Sequence, residues 1–307
     1  MICWGGNLGN SIFILITGYF MVKSHVNWKK IFVLLVTMFF YSWFIMAIIY
    51  GGQFLPFSWK QAVKEIFPIL FGENWFVSCY IIFSVFIPFI NHFLNSLNKE
   101  QYQKYLILFF LFSTLLPAFT FVTFFDARIL FFLLSYSIGG YLKLFGSSFL
   151  TMKWHRKYGL CFFTMLIFLW ITILSADGLG ILFKKYTLMR YAYHGEAVFT
   201  LPMAISIFCF FLTRPYFYCR NINIIAGTVL GVYLIHENSL MRQIIWNCIL
   251  PNMEWISSPY YPIFYLVKVL GVFMICSLIE FLRKKLLDKT FDKAWYCIKN
   301  ACFKIRN

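Results

Sequence analysis

The chain has 307 residues, of which 61% are hydrophobic, 22% aromatic and only 12% charged, whereas a soluble domain carries about a quarter charged residues. A soluble core shields only part of its chain from water, and large exposed apolar patches drive association; a water-soluble enzyme is thereby excluded. The net charge of +16 is read from where the Lys and Arg residues sit relative to the apolar runs, and it implies no nucleic-acid partner.

The expected architecture is an all-α, polytopic integral membrane helical bundle over residues 1–282, followed by a basic amphipathic cytoplasmic tail over residues 283–307. Met1 is followed at once by Cys3-Trp4-Gly5-Gly6 rather than by a basic segment, so no secretory signal peptide is expected. Crossing the hydrocarbon takes about 17 to 25 helical residues, and lipid offers backbone polar groups no partners. Runs that qualify, to within a turn, are 8–22, 31–50, 75–93, 105–123, 129–145, 158–175, 197–212, 222–235 and 263–282, which makes about nine transmembrane helices.

Basic residues fall in alternate loops. Lys23, Lys29, Lys30, Lys99, Lys104, Lys143, Lys153, Arg156, Lys157, Arg214, Arg220 and the basic residues of the tail share one side, which the positive-inside tendency makes cytoplasmic. Lys60, Lys64, Arg128, Lys184, Lys185, Arg190 and Arg242 lie opposite. The C-terminus is then cytoplasmic, the N-terminus extracytoplasmic, and the longer aromatic and Gly-containing loops 51–74, 176–196 and 236–261 face outward, where an acceptor would bind.

Polar groups at membrane depth are the first places to look for function. Thr17-Gly18-Tyr19 suits either close helix packing or a substrate-lined wall. Asn91 and His92 follow Pro88 near the inward end of the third run, where they either line a cavity reached from the cytoplasm or hydrogen-bond a helix end. Lys153-Trp154-His155-Arg156-Lys157 either grips a phosphorylated donor or is a solvated cytoplasmic loop. His236 ends the run Gly231-Val232-Tyr233-Leu234-Ile235 with Glu237 beside it, and an imidazole next to a carboxylate suits a proton acceptor. Lys268, inside the last run, is expected to snorkel or to pair with a carboxylate such as Glu237. The tail, in which Lys284, Lys285, Lys289, Lys293 and Lys299 alternate with Phe291, Trp295, Tyr296, Ile298 and Phe303, reads as a helix on an anionic membrane surface or as a simple positive anchor.

Nine Cys are scattered without a C-x-x-C pair or metal-type spacing, the nearest pair of the tail being Cys297 and Cys302; they read as small hydrophobes, and no metal is expected. G-x-x-x-x-G-K-[ST] and H-E-x-x-H are missing, which disfavours an ATP-driven transporter and a zinc hydrolase.

Three stretches together resemble the acyltransferase-3 family of membrane O-acyltransferases. Gly9-Asn10-Ser11 through Thr17-Gly18-Tyr19-Phe20-Met21 is similar to its early F-x-x-x-S-G-Y/F segment, with Thr in place of Ser. Asn74-Trp75-Phe76-Val77-Ser78-Cys79-Tyr80 running to Pro88-Phe89-Ile90-Asn91 is similar to its W-F-x-x-x-Y and P-x-x-N segment, and Gly231-Val232-Tyr233-Leu234-Ile235-His236 to its Y-L-I-H motif. The resemblance implies a cell-membrane enzyme that takes an acyl group, usually acetyl from acetyl-CoA as co-substrate, to a hydroxyl of a cell-surface polysaccharide or lipid-linked glycan. Membrane lipids, acyl-CoA and a carbohydrate acceptor are the partners so implied, with no tightly bound cofactor. On this reading His236 is the catalytic candidate, Tyr19, Trp75, Tyr80, Asn91 and Glu237 bind substrate, and Lys153 and Arg156 hold the donor. The family begins with a helix carrying a basic residue and a His ten or eleven positions later, whereas Met1 falls where that helix has already ended. The chain is therefore expected to lack the family's first transmembrane helix and, if complete, to be impaired in catalysis. The rival readings are a transporter or flippase for a lipid-linked sugar and an inactive structural remnant.

Overall fold

The computed structural model describes residues 6–120, 127–184, 187–250 and 258–306, with side chains for all of these except 6, 7, 119, 127, 187–197, 298 and 301–306. Every regular element among them is helical. In chain order they are α1 (Gly6–Met21), α2 (Trp28–Gly51), α3 (Trp59–Ile66), α4 (Trp75–Ser96), α5 (Lys99–Phe110), a π-helical turn (Leu111–Leu115), α6 (Leu116–Thr120), α7 (Ala127–Phe145), α8 (His155–Leu182), α9 (Thr187–Leu212), α10 (Arg220–Ala226), α11 (Val229–His236), α12 (Ser239–Gln243), a second π-helical stretch (Ile244–Ile249) and α13 (Tyr261–Arg306). Side chains set several of the starts. Asn27, Ser58 and Asn238 accept from backbone N–H groups of the turns that follow, and Asn98 with Gln101 forms a capping box, which satisfies donors that a helix start leaves unpaired.

Five stretches are long and apolar enough to cross a membrane: Trp28–Gly51, Trp75–Ser96, Arg128–Ser148, Met152–Leu182 and Tyr261–Cys297. A sixth arises if Arg220–His236 and Ser239–Ile249, bent by 75°, are taken as one broken span. Nine such helices are therefore not reached among the described residues. The run 222–235 is divided at Gly227 and Thr228 into α10 and α11. That at 105–123 is interrupted by the π-turn just before Pro117, which has no N–H to continue an α ladder, and its last residues lie outside the described part. Leu8–Met21 and Val198–Leu212 are apolar but short.

Of the outward loops expected at 51–74, 176–196 and 236–261, the described portions of the last two are largely helical, with the end of α8, the start of α9, and α12 with its π-helical continuation, whereas 51–74 holds the short α3 between stretches of turn and coil.

On α8 the exposed Leu160, Phe163, Ile167, Ile171 and Leu174 form one stripe at three- and four-residue spacing, and on α13 Ile263, Val267, Leu270, Met274 and Leu278 do the same. Stripes of this size facing outward need an apolar solvent. The protein is a helical membrane protein.

The chain forms two compact units, one of Met1–Val26 and Phe83–Tyr216, the other of Asn27–Ile82 and Phe217–Asn307. In the first, α1 packs along α7 and α9, α8 along α9, and α5 against α7, over a core of Leu15, Leu142, Ala204, Phe208 and Cys209. The α1–α7 crossing is close. A Cβ on Gly18 would strike the Tyr136 carbonyl, and one on Gly139 would strike the Leu15 carbonyl, so absent side chains let two backbones meet. Gly18→Ala is expected to destabilise by about 1–3 kcal/mol through overpacking, read as a lower melting temperature of the detergent-solubilised protein. An unchanged value would show that the helices do not cross so closely.

In the second unit α13 packs on α2 and α11, while α3 and α12 pack on α2. The 46-residue α13 runs without a break through the position where the basic tail was expected to begin. Beyond it Phe291 is buried, Trp295 lies 5.4 Å from the Phe32 ring, and Asp292 meets Lys29 at 3.0 Å, so this stretch docks along the start of α2.

Candidate functional site

In the second unit, α11 ends at His236 and turns sharply into α12. The His236 Nδ1 lies 2.6 Å from the Val232 carbonyl. A carbonyl oxygen only accepts, so Nδ1 carries a proton and Nε2 is the edge left for chemistry. Glu237 Oε1 stands 3.4 Å from that Nε2, and its Oε2 stands 3.4 Å from Arg242 Nη1. Imidazole and carboxylate are each only about a third exposed, so the pair is accessible yet partly shielded from bulk screening.

The turn that carries them is anchored from below by Glu65 on α3, which is fully buried. Its carboxylate accepts from Ser42 Oγ of α2, from Gln61 Nε2 at 3.2 Å, from Asn238 Nδ2 at 2.9 Å and from Ser239 Oγ at 2.9 Å. Gln61 Nε2 also donates to Ser239 Oγ. Asn238 Oδ1 caps α12 by accepting from the N–H groups of Leu240 and Met241. Among the described residues, all the side-chain donors to Glu65 are neutral. A buried carboxylate is tolerable when its lone pairs are filled this way, and the outcome is a rigid α11–α12 bend two residues from His236.

In the first unit, Asn91 and Asn95 stand one turn apart on α4. Asn91 Nδ2 donates to the Met21 carbonyl and Asn95 Nδ2 to the Val22 carbonyl, both at 2.8 Å, so the orphan carbonyls at the end of α1 are capped from a neighbouring helix. The Tyr136 hydroxyl donates to Asn91 Oδ1 at 2.7 Å. Around this junction opens a cavity of about 830 Å³ lined by Lys23, His25, Pro88, Asn91, His92 and Asn95 among others, with no carboxylate in its wall among the described residues. Asn91 thus bonds a helix end and also lines a cavity.

The remaining residues of this unit divide differently. Tyr19 packs edge-on to Phe208 at 5.6 Å beneath Lys143, whose Nζ lies 5.0 Å above the ring; it belongs to the α1–α9 core. Lys153 and Arg156 are exposed on successive turns. Between them His155 stacks on Phe210 at 4.0 Å and gives Nδ1 a 3.1 Å contact with the Phe210 carbonyl, and Lys157 lies 4.2 Å over the Trp154 ring.

A scan against protein-family models matches residues 5–279 to the acyltransferase-3 model, described as an acyltransferase domain. The chain belongs to the acyltransferase-3 family. No curated protein and no solved structure matches it significantly.

For an acyltransferase-3 chain, the late Gly231-Val232-Tyr233-Leu234-Ile235-His236 segment acquires a physical account. Gly231 lies against the Glu280 side chain of α13, where any Cβ would collide. Glu280, fully buried, accepts from the Tyr41 hydroxyl at 2.6 Å and is held by Arg283 through Nε at 2.7 Å and Nη2 at 2.8 Å. The Tyr233 hydroxyl accepts the Phe76 backbone N–H at 3.2 Å, which ties the Y-L-I-H segment to the first turn of α4. There Trp75 and Tyr80 are half-buried, with Trp75 edge-on to Phe76 at 5.7 Å.

Glu65, Glu280 and Arg283 were not singled out from the sequence. The signal for Glu280 was present: a lone acid at the end of an apolar run, three residues before an Arg, is the spacing of a helical ion pair. Glu65 lies in a mixed polar stretch that a hydropathy reading discards.

Proposed function

We propose that this chain is an integral membrane O-acyltransferase that moves an acyl group, acetyl in the simplest case, from cytoplasmic acyl-CoA to a hydroxyl of a cell-surface polysaccharide or lipid-linked glycan. The observation that carries the reading is the acyltransferase-3 match across residues 5–279 on a chain with lipid-facing helices. In the proposed reaction His236 Nε2 takes the proton of the acceptor hydroxyl as its oxygen attacks the thioester carbonyl. The tetrahedral intermediate then collapses, the C–S bond breaks, and CoA leaves as the thiol after receiving a proton. Glu237 orients the ring and stabilises its charged form, and Trp75 and Tyr80 line the acceptor side.

The proposed topology keeps the nine crossings read from the apolar runs in the cell membrane, with the basic loops and C-terminus cytoplasmic and the N-terminus outside. The donor then meets the first unit from the cytoplasm. Lys153 and Arg156 offer charge but no enclosure, whereas the cavity beside Asn91 offers Lys23, His25 and His92 around a space with no acidic group among the described lining residues. We assign the CoA phosphates to that cavity, with Lys153 and Arg156 steering the donor from outside.

Purified protein in nanodiscs given radiolabelled acetyl-CoA and a soluble saccharide is expected to transfer label to the sugar; absence of label on any acceptor, with sugar-lipid translocation in its place, would make the chain a transporter. The same assay separates the two donor assignments. Lys23→Ala with His92→Ala is expected to raise KM for acetyl-CoA about tenfold, the loss of roughly 1.4 kcal/mol of binding, whereas Lys153→Ala with Arg156→Ala changes it less because exposed charges are screened. The reverse order would move the donor to the loop.

A further inference from the structure

The first turn of α4 breaks a local rule. Asn74 occupies the capping position: its carbonyl accepts from the N–H groups of Val77 at 3.0 Å and Ser78 at 3.2 Å. Asn at such a position normally turns its side-chain oxygen onto those same donors. Here it does not. Asn74 is 6% exposed, and neither its Oδ1 nor its Nδ2 has a hydrogen-bond partner among the described residues. Its backbone sits at φ +52, in the left-handed region that Asn tolerates better than most side chains. The Phe76 N–H is satisfied from elsewhere, by the Tyr233 hydroxyl, which as an acceptor there still carries a proton of its own to donate. Native structures satisfy nearly all their buried polar atoms, so an orphaned donor and acceptor on one group call for a partner that the described residues do not supply.

We infer that the Asn74 carboxamide, with the Tyr233 hydroxyl, is a hydrogen-bonding contact for the hydroxyl-bearing carbohydrate acceptor, an assignment that rests on the reading of the chain as an O-acyltransferase. The chemistry of the amide selects this ligand. A thioester carbonyl would use Nδ2 alone and leave Oδ1 buried and unpaired, and so would a phosphate. A sugar hydroxyl both donates and accepts, and adjacent hydroxyls on one ring fill both ends of an amide. The half-buried Trp75 next in the chain supplies an apolar face beside it. His236, one helical turn after the ring residue Tyr233 and edge-on to it at 6.3 Å, belongs to the same helix end. Asn74 is thus a substrate-contacting residue at the end of the second unit that carries His236 and Glu237.

The test is equilibrium binding of two soluble probes, methyl glucoside and N-acetylglucosamine, to the full chain in phosphatidylcholine nanodiscs, followed by saturation-transfer NMR. Asn74→Gly removes the amide while keeping the positive φ free of strain, and Asn74→Asp keeps the acceptor but loses the donor. Wild-type protein is expected to bind at least one probe saturably, Asn74→Gly to weaken it about tenfold or more, Asn74→Asp to fall between, and acetyl-CoA affinity to stay unchanged in both. Equal sugar binding by wild type and Asn74→Gly, as expected if the amide holds only water, overturns the inference, and so does wild-type protein that binds neither probe. Sugar binding that depends on Asn74 in a chain that transfers no acetyl would leave this site standing while removing the proposed reaction.

Discussion

Replacing Arg283 by Ala is expected to destabilise the protein by about 3–5 kcal/mol, the usual consequence of stripping the partner from a buried charge. Glu280 is wholly enclosed, and without the guanidinium it keeps, among the described residues, a single hydrogen bond, from Tyr41. Arg283 is itself only 6% exposed and lies 5.4 Å over the Phe291 ring, so its loss also empties packed space. Changing both partners to apolar residues, Glu280→Leu with Arg283→Met, is expected to restore most of the stability, because the desolvation of two charges disappears with the attraction between them. Thermal unfolding in mild detergent reads both. Equal destabilisation by the single and double changes would mean that packing, not charge, dominates there.

His236→Ala is expected to lower acyl transfer by about 100-fold to 10,000-fold, the range for a positioned acid–base group, with KM for acetyl-CoA nearly unchanged. The reason lies in the tautomer: the Val232 carbonyl holds the proton on Nδ1 and leaves Nε2, beside Glu237, to take the proton of the acceptor. Glu237→Gln is expected to have a smaller effect, since its contact with Nε2 is 3.4 Å and is shared with Arg242. A His236→Ala protein that transfers acetyl at the wild-type rate would take His236 out of the chemistry and leave it as a helix-ending residue.

Much of the second unit's organisation could not be read locally because its partners are far apart in the chain. Ser42, Glu65 and Asn238 meet at one carboxylate across separations of 23 and 173 residues, and nothing in the spacing of any of them announces it. Asn74 stood inside the recognised W-F-x-x-x-Y stretch yet passed as a motif neighbour, because its oddity is the absence of a bond that only coordinates reveal. By contrast, Gly18 was legible as a small residue suited to close helix packing, and the structure supplies the object it makes room for, a carbonyl of α7, just as it shows Gly231 making room for the Glu280 side chain. Span counting fared worse at the polar and proline-bearing runs, since apolar composition does not say where a helix breaks.

What the sequence by itself determined was the membrane solvent, the all-helical class and the family, because hydrophobic content and run length are set by the bilayer, and motif order survives without coordinates. What only the tertiary structure decided was which polar groups are satisfied. Tyr19 went to a packed core, Asn91 to the end of α1, and Glu65 and Glu280 to buried hydrogen-bonded sites. Desolvation makes an unpaired buried polar atom costly, so where each atom finds its partner depends on contacts between distant segments and not on the local pattern.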